Sequence, residues 1–157
     1  LSATENIILG LEGRLNIKEA SRKIEEICNK YGFEVDPKQK IYEMSVSQKQ
    51  TVEIVKVLYR GADILILDEP TAFLDFPSKI ETLQMLRRLA HEQHKSILLS
   101  THDVELALQL SDRLWLMEES RFSIGTPKEL AADGSLSRFI NRDGIRFNKD
   151  SLRIEIK

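Results

Sequence analysis

The sequence of 157 residues contains one cysteine, Cys28, and no apolar run longer than four residues. A single thiol can neither close a disulfide within the chain nor build a thiolate zinc site, and its scarcity fits a reducing cytoplasm. The longest apolar runs, Ile64–Leu67 and 114–117, are far too short for a membrane-spanning helix. A net charge of −2 gives no basic field for nucleic acid, so no nucleic-acid partner is expected.

The sequence is 41% hydrophobic and 31% charged, which predicts a soluble globular chain. Its length of 157 residues is about that of one domain. Apolar residues recur at three- and four-residue spacing over Ile17–Tyr31, which predicts an amphipathic helix that ends at Gly32. A second helix is expected to start at Ser45 or Ser47, with either serine as its cap, and to run to Tyr59.

Short apolar runs and helical patterns alternate after Gly61. The runs 62–67 and 96–100 predict buried parallel strands, and Ser78 and Glu81 stand in capping-box spacing at the start of the helix between them. The later predicted elements are a helix with Asp103 near its start, a hairpin of LWLM and RFSIG, a helix capped by Thr126, and a terminal hairpin turning at 148–150. This order predicts an α/β fold with a mostly parallel sheet.

Two carboxylates follow the first strand directly in the stretch ILILDEPTAFLD. Burial of Asp68 and Glu69 at the end of so apolar a strand is costly unless a cation or a water compensates for it. The carboxyl ends of parallel strands are where open α/β sheets bind ligands, and His102 follows the next predicted strand. We therefore expect the three side chains at one edge of the sheet, although a pair of strand-end carboxylates could equally serve only to cap the following turn.

Four motifs, in order, resemble the nucleotide-binding subunits of ATP-binding cassette (ABC) transporters. MSVSQ (44–48) is similar to the family's signature sequence, ILILDEP to its Walker B strand, TAFLD to its D-loop and STHD to its switch-histidine motif. The resemblance runs from ATENIILGLEG to GTPKEL and omits only the terminal hairpin. Residues 1–72 look most like importers of simple sugars and nucleosides, and residues 73–140 look more like ferric-siderophore importers.

The resemblance implies a P-loop-NTPase-like sheet and catalytic roles at its edge. Asp68 would hold Mg²⁺ through water, Glu69 would be the general base that polarises the hydrolytic water, and His102 would sense the γ-phosphate of ATP. The helical subdomain is expected over residues 1–60, the later part of the ATPase core over 61–140, and a C-terminal extension over 141–157.

The resemblance also implies contacts across a head-to-tail dimer with a second nucleotide-binding subunit. Ser45, Ser47 and Gln48 would address the ATP bound mainly by the opposite subunit, and Asp75 would bridge the interface. In the family, ATP binding and hydrolysis drive solute import through a transmembrane permease, so the subunit would lie in the cytoplasm on the inner face of the membrane. An apolar spot from Tyr42 to Val46 is a candidate docking surface for the permease.

A Walker A loop is absent from these residues. That loop needs Gly-x-x-x-x-Gly-Lys-Ser/Thr, and none of the seven glycines is followed by lysine. We expect the chain to begin inside a longer gene product and, by itself, to bind ATP weakly or not at all and to lack appreciable ATPase activity. The signature also departs from the family pattern, since Ser47 stands in place of glycine and Thr51 in place of a frequent arginine.

Two rival interpretations remain open. The later lobe of a chromosome-maintenance or DNA-repair ATPase head, of the SMC/Rad50-like kind, would explain a distant Walker A loop, but residues 1–43 show no sustained heptads and the chain has no basic stripe. A non-catalytic interaction module with the same fold would have no need of Asp68, Glu69 and His102 together.

Overall fold

The computed structural model describes residues 1–12 and 16–156. The described residues form seven α-helices and six β-strands: α1 (Ala3–Ile8), α2 (Ile17–Tyr31), α3 (Val46–Tyr59), β1 (Ile64–Leu67), α4 (Phe76–Glu92), β2 (Ser96–Leu99), α5 (Val104–Leu110), β3 (Leu114–Glu118), β4 (Arg121–Gly125), α6 (Pro127–Ala132), α7 (Ser135–Ile140), β5 (Ile145–Asn148) and β6 (Arg153–Ile156). The chain divides into two compact units, Leu1–Ser100 and Thr101–Lys157. The helical, core and C-terminal segments expected from the sequence stay a prediction.

Three mutually packed helices, α1, α2 and α3, open the first unit. Helix α2 begins where the Asn16 side chain accepts the amides of Lys18 and Glu19, and it ends at Gly32, whose φ of 72° is left-handed and suits glycine. The apolar stripe of each helix faces the others and is fully buried at Ile7, Ile24, Val52, Ile54 and Val55. The predicted helix over Ile17–Tyr31 is therefore confirmed.

Helices α3 and α4 of the first unit start differently. Helix α3 starts after Ser45, which confirms the first of the two predicted caps. Helix α4 starts at Phe76, with Asp75 at the cap position and proline in the first turn. The predicted capping box of Ser78 and Glu81 is wrong, because Pro77 favours a first turn that already contains Ser78.

A two-stranded parallel sheet, β1 beside β2, carries the candidate site. Its register pairs Ile64 with Ser96 and Leu67 with Leu99. One face of β1 is buried, since Leu65 is 1% exposed, but Ile66 on the other face is 76% exposed. The expectation of a strand covered on both faces is wrong for the described residues, because Ile64 and Ile66 on one face of β1 are exposed.

The second unit is built from two antiparallel hairpins and three short helices. Strands β3 and β4 pair from Leu114–Gly125 to Glu118–Arg121, and β5 pairs with β6. Both hairpins were predicted and are confirmed. The unit has its own apolar core, formed by Leu108, Leu116, Leu130, Ala131, Leu136, Ile140 and Phe147. Across the part of the chain that is described, every helix is too short or too polar to span a membrane.

Candidate functional site at the carboxyl end of the parallel strands

The acidic pair lies directly after β1, and a serine after β2 reaches both of its members. Because Leu67 pairs with Leu99, Ser100 comes beside Asp68, and the Ser100 amide donates to the Leu67 carbonyl at 3.0 Å. The Ser100 hydroxyl donates to Asp68 Oδ1 at 2.6 Å and accepts the Glu69 amide at 2.9 Å. Two consecutive acidic residues are thus tied to the neighbouring strand through one oxygen atom.

The chain turns sharply at Glu69. Its φ of 45° is left-handed, a conformation that costs energy for a residue with a side chain and that recurs at functional sites. The turn is closed by the Ala72 amide, which donates to the Glu69 carbonyl at 2.9 Å, and it is anchored by Thr71, which is 3% exposed. Asp68 is exposed and Glu69 is half-buried, so both carboxylates remain accessible at the end of the sheet.

The signature-like residues lie at the start of α3. Ser45 Oγ accepts the Gln48 amide at 3.2 Å, and Gln48 Oε1 accepts the Ser45 amide at 2.9 Å. This reciprocal pair is a capping box. Ser47 lies within the first turn, and its carbonyl accepts the hydroxyl of Thr51 at 3.1 Å. Ser45 is exposed, while Ser47 and Gln48 are half-buried.

Asp75 lies at the start of α4 and is exposed. Although it occupies the cap position, its side chain makes no capping hydrogen bond to the helix. Two residues earlier, Phe73 is 95% exposed with a left-handed φ of 64°. The stretch between Glu69 and α4 therefore presents a carboxylate and an aromatic ring to its surroundings.

His102 is exposed and belongs to the second unit. Its carbonyl accepts the Val104 amide at 3.1 Å just before α5 begins. The structure thus brings together Asp68 and Glu69 in the first unit, and the expected approach of the His102 ring to them stays a prediction.

The acidic pair fits one way of holding Mg²⁺. No group of three or more metal-ligating side chains occurs in residues 1–12 and 16–156, so the described chain offers no complete cage. Mg²⁺ in nucleotide sites is commonly held by one or two carboxylates together with waters and substrate phosphates. Asp68, exposed and fixed through one of its two oxygens, provides such a partial ligand set.

Sequence reasoning missed Ser100 as part of the site. The residue was visible in the switch-histidine motif, but a serine after a strand looks like any turn residue. The register of β1 against β2 is what brings it to the acidic pair.

The apolar spot from Tyr42 to Val46, expected as a docking surface for the permease, is exposed only in part, and its role in docking stays a prediction. Tyr42 is 76% exposed and Val46 is 52% exposed, but Met44 between them is 5% exposed. Met44 lies at the end of the short 3₁₀ turn Ile41–Glu43, and its side chain belongs to the core of the first unit. Any partner that binds here would meet Tyr42 and Val46 and not Met44.

Comparison with known proteins shows which proteins this chain is similar to. The family described as ABC transporter matches residues 1–72. A nucleoside import ATP-binding protein of Lactococcus lactis, NupA, is 44% identical over 124 residues, which is 76% of this chain and 24% of that protein. This chain is related to the ATP-binding subunits of ABC transporters. The predicted family is confirmed.

Other ABC relatives agree. The guanosine import ATP-binding protein NupO of Bacillus subtilis is 39% identical over 124 residues, 76% of this chain and 24% of the relative. The chain thus spans about a quarter of the length of these curated relatives.

Solved ABC structures share the fold. CbiO1 from Clostridium perfringens, part of the transporter complex CbiONQ, superposes with a TM-score of 0.71 at 29% identity, covering 87% of this chain and 55% of that one. The cassette MJ0796, a dimer in a post-hydrolysis state bound to ADP and Pi, gives 0.61 at 25% identity, covering 78% and 56%. The predicted α/β fold class with a parallel sheet is confirmed.

Proposed function

We propose that this chain is part of an ATPase subunit that couples ATP binding and hydrolysis to solute import through a membrane permease. The chain supplies the helical signature segment and the later part of the catalytic core. Relatives named as nucleoside import ATP-binding proteins support the import direction. The subunit would act at the cytoplasmic face of the membrane beside its permease.

The observation that carries this proposal is the acidic pair at the carboxyl end of β1. In this proposal Asp68 holds Mg²⁺ through water, and the metal neutralises charge on the phosphates. Glu69 accepts a proton from the attacking water, which requires a carboxylate that is both accessible and fixed in direction. The left-handed turn and the Ser100 bond to the Glu69 amide support this role, because they hold the backbone from which the carboxylate extends.

The remaining site residues are proposed to act between subunits. The start of α3, with Ser45, Ser47 and Gln48, would address ATP held by the opposite subunit, and Asp75 would contact that subunit directly. A relative that forms a dimer with ADP and Pi supports a dimeric arrangement. His102 would report the γ-phosphate.

Replacement of the proposed base tests this function. In the gene product that contains this chain, Glu69→Gln should lower the ATPase rate by about 100-fold or more while ATP binding is retained, because the amide cannot accept the proton. Glu81→Gln, the same change at an exposed glutamate of α4, is the matched control and should leave the rate unchanged. A Glu69→Gln protein with the rate of its control would contradict the proposal.

The chain without a Walker A loop is proposed to be inactive by itself, because phosphoryl transfer depends on positioning and charge stabilisation of the phosphates. Isothermal titration of the 157-residue chain with ATP and Mg²⁺ should give no tight binding. The relatives described above are transporter subunits, and they lend no support to the DNA-maintenance or non-catalytic alternatives.

A further inference from the structure

We propose that Ser100 is a positioning residue that sets the rotamer of Asp68 and the backbone turn at Glu69, at the end of β1. This inference rests on the proposed function, because it assigns Ser100 a part in holding the Mg²⁺ ligand and the base of that reaction. Ser100 itself would touch neither nucleotide nor metal. Its effect would pass through Asp68 and Glu69.

The hydroxyl of Ser100 is suited to this task because it uses both of its hydrogen-bonding capacities at once. It donates a hydrogen bond to Asp68 Oδ1, with 2.6 Å between the two oxygens. This leaves Oδ2 and the remaining lone pairs of the carboxylate for a metal-bound water. The Ser100 hydroxyl oxygen accepts the Glu69 amide at 2.9 Å. One side chain therefore couples the rotamer of Asp68 to the backbone of Glu69.

The bond to the Glu69 amide matters because of the backbone conformation there. Glu69 has a left-handed φ of 45°, which a residue with a side chain keeps only when its surroundings hold it. The main chain of Ser100 is itself fixed, since its amide bonds the Leu67 carbonyl at 3.0 Å within the parallel pair. The strand thus provides a rigid base for the hydroxyl that holds the turn.

Three variants of the full-length gene product separate positioning from a general structural role. Ser100→Ala removes the hydroxyl, and Ser100→Thr keeps it on a side chain that strands accept well. Ser96→Ala makes the same change at the other end of β2, where Ser96 is exposed and its amide bond to the Asp63 carbonyl at 2.9 Å survives the substitution.

Two quantities are measured for each variant. The first is the Mg²⁺ concentration that gives half-maximal ATPase activity, which should rise about tenfold in Ser100→Ala, as for other residues that orient a metal ligand. The second is the exchange rate of the Glu69 amide, by hydrogen-exchange mass spectrometry with single-residue fragmentation. It should rise about fivefold in Ser100→Ala through loss of one hydrogen bond. Ser100→Thr and Ser96→Ala should resemble wild type in both.

The outcomes distinguish this inference from the function on which it rests. If wild type hydrolyses ATP but Ser100→Ala has the Mg²⁺ dependence of Ser96→Ala, the role of Ser100 is refuted and the proposed function stands. If wild type hydrolyses no ATP, the proposed function fails, and the Glu69 exchange rate alone then decides whether Ser100 holds the turn. Equal Glu69 exchange in Ser100→Ala and Ser96→Ala would refute that as well.

Discussion

The starts of helices α3 and α4 both carry residues proposed to face a nucleotide or a second subunit, yet they are built in opposite ways. At α3, Ser45 and Gln48 satisfy each other's backbone amides, so the proposed ligands also hold the helix. At α4, Asp75 occupies the cap position without a capping bond. A substitution at Ser45 or Gln48 should therefore change both stability and function, whereas a substitution at Asp75 should leave stability nearly unchanged.

The largest expected difference is at Ser45. Ser45→Ala removes the acceptor of the Gln48 amide and should lower the free energy of unfolding of the first unit by about 1 kcal/mol. Urea titration followed by helical circular dichroism measures this change. Ser47→Ala is the matched control, because Ser47 lies inside α3 and its carbonyl bond to Thr51 survives the substitution. Equal losses in the two variants would show that the Ser45 hydroxyl does not stabilise α3 as a cap.

A smaller effect is expected at Asp75. Asp75→Ala should change the free energy of unfolding by less than about 0.5 kcal/mol, as at a surface position without a structural bond. Asp103→Ala is the comparison, since the Asp103 carboxylate accepts the Leu106 amide at the start of α5 and its removal should cost more. A larger loss at Asp75 than at Asp103 would show that Asp75 holds α4 after all.

A third contrast concerns pH. The capping box of α3 uses the neutral Gln48, but that of α6 uses Glu129, whose carboxylate accepts the Thr126 amide at 2.8 Å. This backbone hydrogen bond holds the pKa of Glu129 below its usual 4.5. The hydrogen bond therefore stabilises the start of α6 fully above pH 4.5, and this stabilisation is lost as the pH falls through the lowered pKa of Glu129.

Hydrogen exchange of the Thr126 and Ser45 amides, expressed relative to their intrinsic rates, measures how far each capping box depends on pH. From about pH 5 to about pH 3, protection of the Thr126 amide should fall by about threefold, while that of the Ser45 amide should stay constant. A parallel fall at both amides would mean that general acid unfolding, and not the charge of Glu129, is responsible.

Much of the local structure was predictable because its signals are local. The apolar period of Ile17–Tyr31 with Gly32 after it, the caps Ser45 and Thr126, and the two hairpins all depend on residues within a few positions of each other. The start of α4 shows how a local signal can mislead, since Ser78 and Glu81 have the spacing of a capping box although Ser78 lies inside the first turn, after Pro77.

The candidate site was predictable only in part. The acidic pair can be recognised in the sequence because it follows an apolar run, and in the structure Asp68 and Glu69 directly follow β1 as predicted. The contribution of Ser100 depends on the register of β2 against β1. A slip of one residue in that register would turn each side chain of β2 to the opposite face of the sheet. No short stretch of sequence carries that alignment, and it emerges only once the two strands are packed on their helices.

The exposed isoleucines of β1 should limit the solubility of this chain by itself. Ile64 and Ile66 are 66% and 76% exposed on one face of a short sheet, and a net charge of −2 provides little repulsion between molecules. Concentrated samples should therefore precipitate through stacking of these faces. Replacing both isoleucines with threonine, which strands tolerate, should raise the highest soluble concentration of the chain and leave the acidic turn unchanged.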